Sequence, residues 1–290
     1  KLRGSYGLVG NDNIDKVEDN RFFYLSSVTP HQGPGAYFGT RNSFGLNGPS
    51  IQNYPNPDAT WETSHKSNLA VEFTLYKNFN VIAEYYWEFR KNIFQPRGYI
   101  PVTEGLESTV KANLGTAYAK GLDLHADYKQ NFSKDIWVSM LGNLTITSSR
   151  YGHVEEPQYK YAYRFLSGQP INQPFGYIAE RLFVDDKEAV NSPPQTFGGP
   201  LPQGGDIKYR DVNKDGIINQ DDQVPIGLPT TPQIIYGFGV SAGYKGFDIN
   251  AFFQGLARES FFINATSQND RYWGYYGTTP FVNNAQILKA

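Results

Sequence analysis

Residues 205–255 contain the two patterns that decide the fold, and they read GDIKYRDVNKDGIINQDDQVPIGLPTTPQIIYGFGVSAGYKGFDINAFFQG. The second half holds two apolar and aromatic runs, 233–244 and 247–254, which only Lys245 and Gly246 separate. A two-residue connection of this kind is typical of an antiparallel β-hairpin. The first half is an acidic turn at 211–222. The stretch therefore predicts antiparallel β-structure with an ordered acidic loop beside it.

The alternation of apolar and polar residues recurs along the chain. Such a period of two indicates strands, because successive side chains of a strand point to opposite faces. In the run 81–90, one face holds Val81, Ala83, Tyr85, Trp87 and Phe89, while the other holds Glu84, Glu88 and Arg90 together with Ile82 and Tyr86. A strand of about ten residues with one apolar and one charged face is typical of a membrane barrel, with lipid outside and water inside. The further strand-like runs are 1–9, 69–76, 122–129 and 136–147.

The connections between these runs alternate between short and long. Short turns lie near residues 78, 132 and 245, whereas long connections cover roughly 91–120 and 148–232. Outer-membrane barrels show this asymmetry, with short periplasmic turns and long extracellular loops. We therefore predict an all-β fold that is part of a large antiparallel transmembrane β-barrel with long extracellular loops. The segment 148–232 is predicted to be a long extracellular loop region that contains one strand, at 175–183.

The amino-acid composition excludes some classes of function. The 290 residues carry a formal net charge of −2 and no basic stripe that would follow a phosphate backbone, so nucleic acid is not an expected partner. The chain has no Cys, which excludes thiolate zinc sites and cysteine nucleophiles. The aromatic content of 16% suits the aromatic girdles of a membrane barrel. It suits a soluble glycan-binding β-protein equally well, so composition leaves both classes open.

The acidic turn at 211–222 matches the spacing of an EF-hand-type calcium loop, with Gly216 at the position of the sharp bend. Alternate side chains point inward in such a loop, and hard oxygen ligands of this kind select calcium. The carboxylate at the twelfth position is Asp, whose arm is shorter than that of the usual Glu. The alternative is a metal-free loop held by Asx turns. The predicted ligands of a structural calcium ion are Asp211, Asn213, Asp215, the backbone carbonyl of Ile217, Asn219 and Asp222.

The acidic turn followed by the hairpin resembles the carboxyl-terminal part of the SusC/RagA family. These proteins are TonB-linked outer-membrane receptors that import glycans or peptides. The resemblance rests on the GDIKY-D-N-DG-I pattern and on the motifs YGF, YKGFD and FFQG that follow it within 205–255. Further resembling blocks are Lys1–Gly10, Trp61–Glu62 with the following strand pair, and Gly121–Asp123.

The resemblance implies a location in the bacterial outer membrane and the lipid contacts of a barrel wall. It also implies a plug domain upstream of this chain, energy supplied by TonB, and a SusD-like surface lipoprotein that closes over the barrel. A plugged transporter of this type has about 22 strands. At about 10 residues per strand plus loops, this chain supplies roughly eight to twelve. Residues 1–290 are therefore predicted to be a partial barrel segment of a longer receptor.

Two groups of side chains are candidates for contact with the transported glycan or peptide. The aromatic cluster near the end of the chain could stack on sugar rings, or it could form an interfacial girdle or pack within a loop. Its members are Tyr272, Trp273, Tyr275 and Tyr276. The polar residues that alternate with the apolar ones are predicted to face the lumen of the barrel. They are Glu84, Glu88, Asp123, His125 and Asp127.

No pattern in the sequence supports an enzyme. The string Gly239–Gly243 matches the G-x-S-x-G nucleophile elbow, but Ser241 lies within a predicted strand rather than at a strand-to-helix turn. The carboxylate pairs Glu155-Glu156 and Asp185-Asp186 lie in predicted loops, where we expect solvated charges. The alternative function comes from another class. It is a secreted, soluble β-sandwich that binds glycans and has one loop braced by calcium.

Overall fold

The computed structural model describes residues 1–12, 24–41, 43–197, 201–263 and 286–289. Within these ranges the chain is built mainly from β-strands. The largest element is a seven-stranded antiparallel sheet, and its strands are the longest of the chain. The helices are short, and within the described ranges none of them has the length and apolar character that crossing a bilayer requires.

The seven strands of the large sheet are β1, β6, β7, β8, β9, β14 and β15, and they lie side by side in this order. Their bounds, in chain order with those of the shorter strands, are β1 Leu2–Asn11, β2 Ser27–Thr29, β3 Gly35–Phe38, β4 Phe44–Asn47, β5 Ser50–Asn53, β6 Glu62–Leu75, β7 Phe79–Pro96, β8 Lys111–Asn131, β9 Ile136–Tyr151, β10 Phe175–Gly176, β11 Ala179–Leu182, β12 Ile207–Tyr209, β13 Val224–Pro225, β14 Ile234–Tyr244, β15 Phe247–Ala257, β16 Ser260–Ile263 and β17 Gln286–Lys289. The helical elements are α1 Asp186–Asn191 and three 3₁₀ turns, Val102–Glu104, Ala162–Arg164 and Gln220–Asp222.

The hairpin of β14 and β15 has the predicted two-residue turn. Tyr244 pairs with Phe247, and Lys245 and Gly246 between them have φ angles of 47° and 86°. Two positive φ angles in succession define the turn that matches the right-handed twist of the flanking strands. Glycine adopts such an angle without strain, which explains its place at the second position.

One face of the sheet is apolar and exposed. On it lie Leu69, Phe73, Phe238, Val240 and Phe253, with exposed fractions between 43% and 58%. Soluble monomers rarely expose a contiguous apolar surface of this size, whereas a barrel wall presents one to lipid. Among the described residues no second sheet covers this face. The predicted all-β fold with a large antiparallel sheet is thus confirmed, and the described residues show no second sheet packed on this face as a sandwich would have.

Two local predictions differ from the structure. Most strands of the large sheet are longer than the ten residues expected, and β8 alone has 21. The described residues therefore divide into fewer large-sheet strands, seven, than the eight to twelve predicted. The run 175–183, predicted as one strand, is two short strands, because β10 pairs with β13 while β11 pairs with β12.

Candidate functional site

The register of the large sheet brings the predicted lumen-facing residues to one face. Glu84 on β7 is paired with Asp123 on β8, and Ile82 and Asn80 are paired with His125 and Asp127. Residues two apart in a strand share a face, so Glu88 lies on this side as well. We call this side the inner face. That it lines a lumen stays a prediction, although the opposite face is the apolar one.

Arg3 ties three strands together on the inner face. Its guanidinium lies 2.8 Å from a carboxylate oxygen of Glu72 on β6 and 3.1 Å from one of Glu84 on β7. Asn68 also donates a hydrogen bond to Glu84. Arg3 and Glu72 were not predicted from the sequence. Their alternation with apolar neighbours was the available signal, but it does not reveal which distant charges will meet.

A second charged group lies further toward the long loops. Arg90 makes ion pairs of 2.9 Å with Glu62 and 2.9 Å with Glu88. Ser64 donates a 2.6 Å hydrogen bond to Glu88. Glu62 and Ser64 were also missed from sequence, because a strand pattern alone does not pair β6 with β7.

The acidic residues of β8 have fewer partners. Asp127 accepts a 2.9 Å hydrogen bond from Asn80 and lies 3.6 Å from the ring of His125. In the described part of the chain, one carboxylate oxygen of Asp123 is buried without a hydrogen-bond partner. The middle of the inner face thus carries both paired and unpaired charges. Such a polar surface is typical of a barrel interior that is filled by water or by protein.

A cavity of about 510 Å³ opens on the inner face beside this second charged group. Its walls are largely apolar side chains from the ends of β7 to β9 and from the connection that follows β9. Glu62, Glu88 and Arg90 form one side. The cavity could hold an apolar part of a ligand next to a polar part. The apolar wall includes Ile93, Phe94, Tyr151, Val154, Leu166 and Ile171.

Glu155 and Glu156 fasten the connection that forms this cavity wall. Both are nearly fully buried. Glu155 accepts a 2.6 Å hydrogen bond from Arg97, and Glu156 accepts bonds from the backbone N–H groups of Leu166 and Ser167. The expectation of solvated charge at this pair was wrong, because the chain folds back over it and supplies the donors that a buried carboxylate needs.

The rest of the long segment between β9 and β14 has its own local order. Glu188 on α1 bonds to Arg181 on β11 and to Lys208 on β12. Hydrogen bonds from Arg181, from the backbone N–H of Val184 and from Lys208 lower the pKa of Glu188 to about 2. Glu188 therefore stays ionised, and the strand pair stays tied to the helix, well below neutral pH.

The acidic turn is held by Asx-type hydrogen bonds. Asp211 accepts from the backbone N–H groups of Lys214 and Gly216 at 2.6 and 2.8 Å. Asn213 accepts from the N–H of Asp215, and Asp215 from that of Ile217. These hydrogen bonds hold the side chains of the first three predicted calcium ligands, Asp211, Asn213 and Asp215, against the backbone of the loop. Each carboxylate oxygen that accepts one N–H still has a lone pair available for an ion.

Asp222 closes the turn from inside. It is fully buried and accepts hydrogen bonds from the N–H groups of Val212, Asn213 and Asn219. Among the described residues, no three Asp, Glu or His side chains converge closely enough to hold a metal ion. The ligand types suit calcium. The side chains of Asp211, Asn213 and Asp215 lie in the loop, but the carboxylate of Asp222 does not join them. Calcium binding stays a prediction.

The predicted aromatic cluster and the G-x-S-x-G string remain. Tyr272, Trp273, Tyr275 and Tyr276 lie outside the described residues. Ser241 lies in the middle of β14, paired with Ser139 on one side and Asn250 on the other. A nucleophile elbow needs a tight turn at this serine, so the geometry gives the G-x-S-x-G string no catalytic role.

Comparison with known proteins gives the following similarities. No family model matches the chain. The chain is 27% identical over 269 residues to the TonB-dependent receptor P26 of Formosa agariphila, and 26% identical over 270 residues to the TonB-dependent receptor P3 of the same organism. Each match covers 88% of this chain and 25% of the relative. The chain thus spans about a quarter of the length of these relatives.

Two solved structures share the fold. The RagAB peptide importer in its open-open state matches with a TM-score of 0.65 and 19% identity, over 97% of this chain and 28% of the other. A second structure, of the RagAB peptide transporter, matches with a TM-score of 0.63 and 19% identity, over 91% of this chain and 27% of the other. At this identity the likeness establishes the fold.

Proposed function

Because the chain forms part of the wall of a β-barrel in the bacterial outer membrane and resembles the TonB-linked receptors of the SusC/RagA family, we propose that it serves a transporter which imports glycans or oligopeptides. The observation that carries the proposal is the two-sided sheet. Its apolar face is exposed, while its inner face holds charges such as Arg3 and Glu84 in ion pairs across three strands.

The inner face and the cavity have different roles in such a transporter. The charged groups would face water or a plug domain inside the barrel. We assign this plug to the part of the receptor upstream of these residues. The 510 Å³ cavity lies at the end of the strands where the long segments emerge. We assign this end to the extracellular side, including the region 148–232. A substrate released from above would therefore meet the cavity first.

Partners follow from the same proposal. A SusD-like surface lipoprotein would cover the long segments and deliver substrate, and TonB would act through the plug. The two RagAB structures are of a peptide transporter and a peptide importer, which supports an oligopeptide as one substrate class. Glycans remain the other class, since carboxylates and aromatic residues near the cavity suit sugar hydroxyls and rings.

Uptake by living cells tests the proposal. Cells with and without the gene that contains this sequence would be fed a mixture of oligopeptides and oligosaccharides, and depletion of each compound from the medium would be measured. We expect depletion of one class to require the gene and to stop when a protonophore removes the energy that TonB uses. Unchanged depletion of both classes would contradict import.

A matched pair of variants links uptake to the cavity. Ser149→Trp places a large side chain at the cavity wall, and we expect uptake to fall by roughly tenfold, as a binding loss of about 1.4 kcal/mol implies. Ser139→Trp is the control, because Ser139 lies on the same strand and face near the short turn. Equal uptake by both variants would exclude the cavity from the path.

We propose further that the acidic turn binds one structural calcium ion, with Asp211, Asn213 and Asp215 among its ligands. The inward-turned side chains of Asp211, Asn213 and Asp215 support this. Calorimetric titration of the purified protein should show heat from calcium that magnesium does not reproduce. The double variant Asp211→Asn and Asp215→Asn should abolish it. Identical heats for the variant and the unchanged protein would favour the metal-free loop.

A further inference from the structure

The apolar face of the sheet ends at a row of side chains that crosses the strands, on the side from which the long segments emerge. On β8 the outward side chains Leu122, Leu124 and Ala126 give way to Lys120 and Tyr118. Cross-strand pairing places Ser67, Trp87, Lys120 and Ser148 next to one another in a row across four strands. The row after it is aromatic and ends at Arg150. It comprises His65, Phe89, Tyr118 and Arg150.

These rows have the character of a membrane interface. The ring centroids of His65 and Phe89 are 6.2 Å apart, and those of Phe89 and Tyr118 are 4.9 Å apart. Trp87, opposite Lys120, is 39% exposed. Aromatic side chains gather at the level of lipid headgroups, because their rings are amphipathic. The two rows therefore mark the depth at which the apolar band meets the polar part of the bilayer.

Two cations at this depth have no acidic partner within the described ranges. Lys120 and Arg150 are exposed, and in the part of the chain that the structure describes neither forms an ion pair. On the inner face Arg3 and Arg90 each contact two carboxylates. The outward cations differ from the inner ones, because no described carboxylate neutralises their positive charge.

The two cations share a cavity of about 430 Å³ with further hydrogen-bond donors. Ser148 is paired with Lys120 and lies two residues from Arg150, so its hydroxyl belongs to the same cavity. One guanidinium nitrogen of Arg150 donates a 2.9 Å bond to the carbonyl of Gly168, which orients the side chain. Among the residues that the structure describes, no carboxylate lines this cavity. Its lining is Trp87, Tyr118, Ala119, Lys120, Ser148, Arg150, Tyr151, Gly152 and Gly168.

We propose that this cavity binds the phosphate group of a phosphorylated lipid in the outer leaflet. An ammonium, a guanidinium and a hydroxyl supply donors for phosphate oxygens, and Arg matches phosphate geometry with its paired N–H groups. The acyl chains of the same lipid would lie on the apolar band that begins at Leu122. A soluble phosphate could use the donors but would gain nothing from this adjoining apolar surface.

The proposal rests on the membrane orientation of the sheet and not on import. A receptor that imports nothing in the uptake experiment could still bind the lipid, and lipid binding could fail while import is observed. The two hypotheses are therefore separable.

The test uses the full protein that contains this sequence, purified in a neutral detergent. Native mass spectrometry would measure binding of lipid A with its phosphates, of dephosphorylated lipid A, and of inorganic phosphate alone. The variant is Lys120→Gln with Arg150→Gln. We expect its affinity for phosphorylated lipid A to fall roughly 25-fold, because each basic side chain near an anionic headgroup contributes about a fivefold factor.

The control variant is Lys66→Gln with Lys129→Gln, which removes the same charge from the inner face. It should bind phosphorylated lipid A like the unchanged protein. Heat-modifiable migration in gel electrophoresis shows that each variant still forms a barrel. Three results would overturn the proposal: equal binding by the Lys120/Arg150 variant, equal binding of the dephosphorylated lipid, or binding of inorganic phosphate as tight as that of the lipid.

Discussion

Replacing Leu124 by arginine is expected to destabilise the folded barrel by about 2–4 kcal/mol, the cost of an arginine on the lipid face near the middle of the bilayer. Leu124 lies on β8 between Ala83 and Leu144 on the neighbouring strands. These neighbours are apolar, so the guanidinium would find no carboxylate within the wall. Its charge would remain in the hydrocarbon region or would pull the strand toward the interface.

The adjacent residue provides the control. His125 follows Leu124 in β8 and therefore points to the inner face, where Asp127 lies 3.6 Å from its ring. His125→Arg keeps a donor beside that carboxylate, and we expect a change in stability within about 0.5 kcal/mol, as for an ordinary exposed substitution. The measurement is urea unfolding of the full protein in lipid vesicles. Equal losses for the two variants would mean that the two faces are not lipid and lumen.

Replacing Asp222 by alanine is expected to cost the segment around the acidic turn roughly 3–5 kcal/mol of local stability. The substitution leaves the N–H groups of Val212, Asn213 and Asn219 without their acceptor. Each buried donor without a partner costs about 1–3 kcal/mol. Because Asp222 is fully buried, water does not readily replace the lost oxygen atoms. The turn should therefore open far more often than in the unchanged protein.

Hydrogen exchange of the peptide amides in 211–222 measures this opening. Asp215→Ala is the matched control, because Asp215 is exposed and accepts from one backbone N–H only, that of Ile217. With calcium removed by a chelator from all samples, we expect its amides to exchange nearly as slowly as in the unchanged protein. If Asp222→Ala left exchange within threefold of the control, the buried carboxylate would not be what holds the turn closed.

The sequence by itself determined the strand content, the hairpin and the two-sided character of the sheet. These are local properties, since alternation along one strand reveals which side chains share a face, and Lys245-Gly246 leaves room for only a tight turn. The same locality explains why Asp211, Asn213 and Asp215 lie in one loop, because those residues are within a few positions of each other.

Contacts between distant parts of the chain were decided only by the tertiary structure. Arg3 meets Glu84 because register carries it across β6, and Glu155 and Glu156 are buried because the segment after β9 folds back over them. Lys120 and Arg150 converge for the same reason, since neighbouring strands set which side chains are opposite. Alternation predicts a face but not a partner, because the pairing of strands is fixed by the packing of the whole sheet.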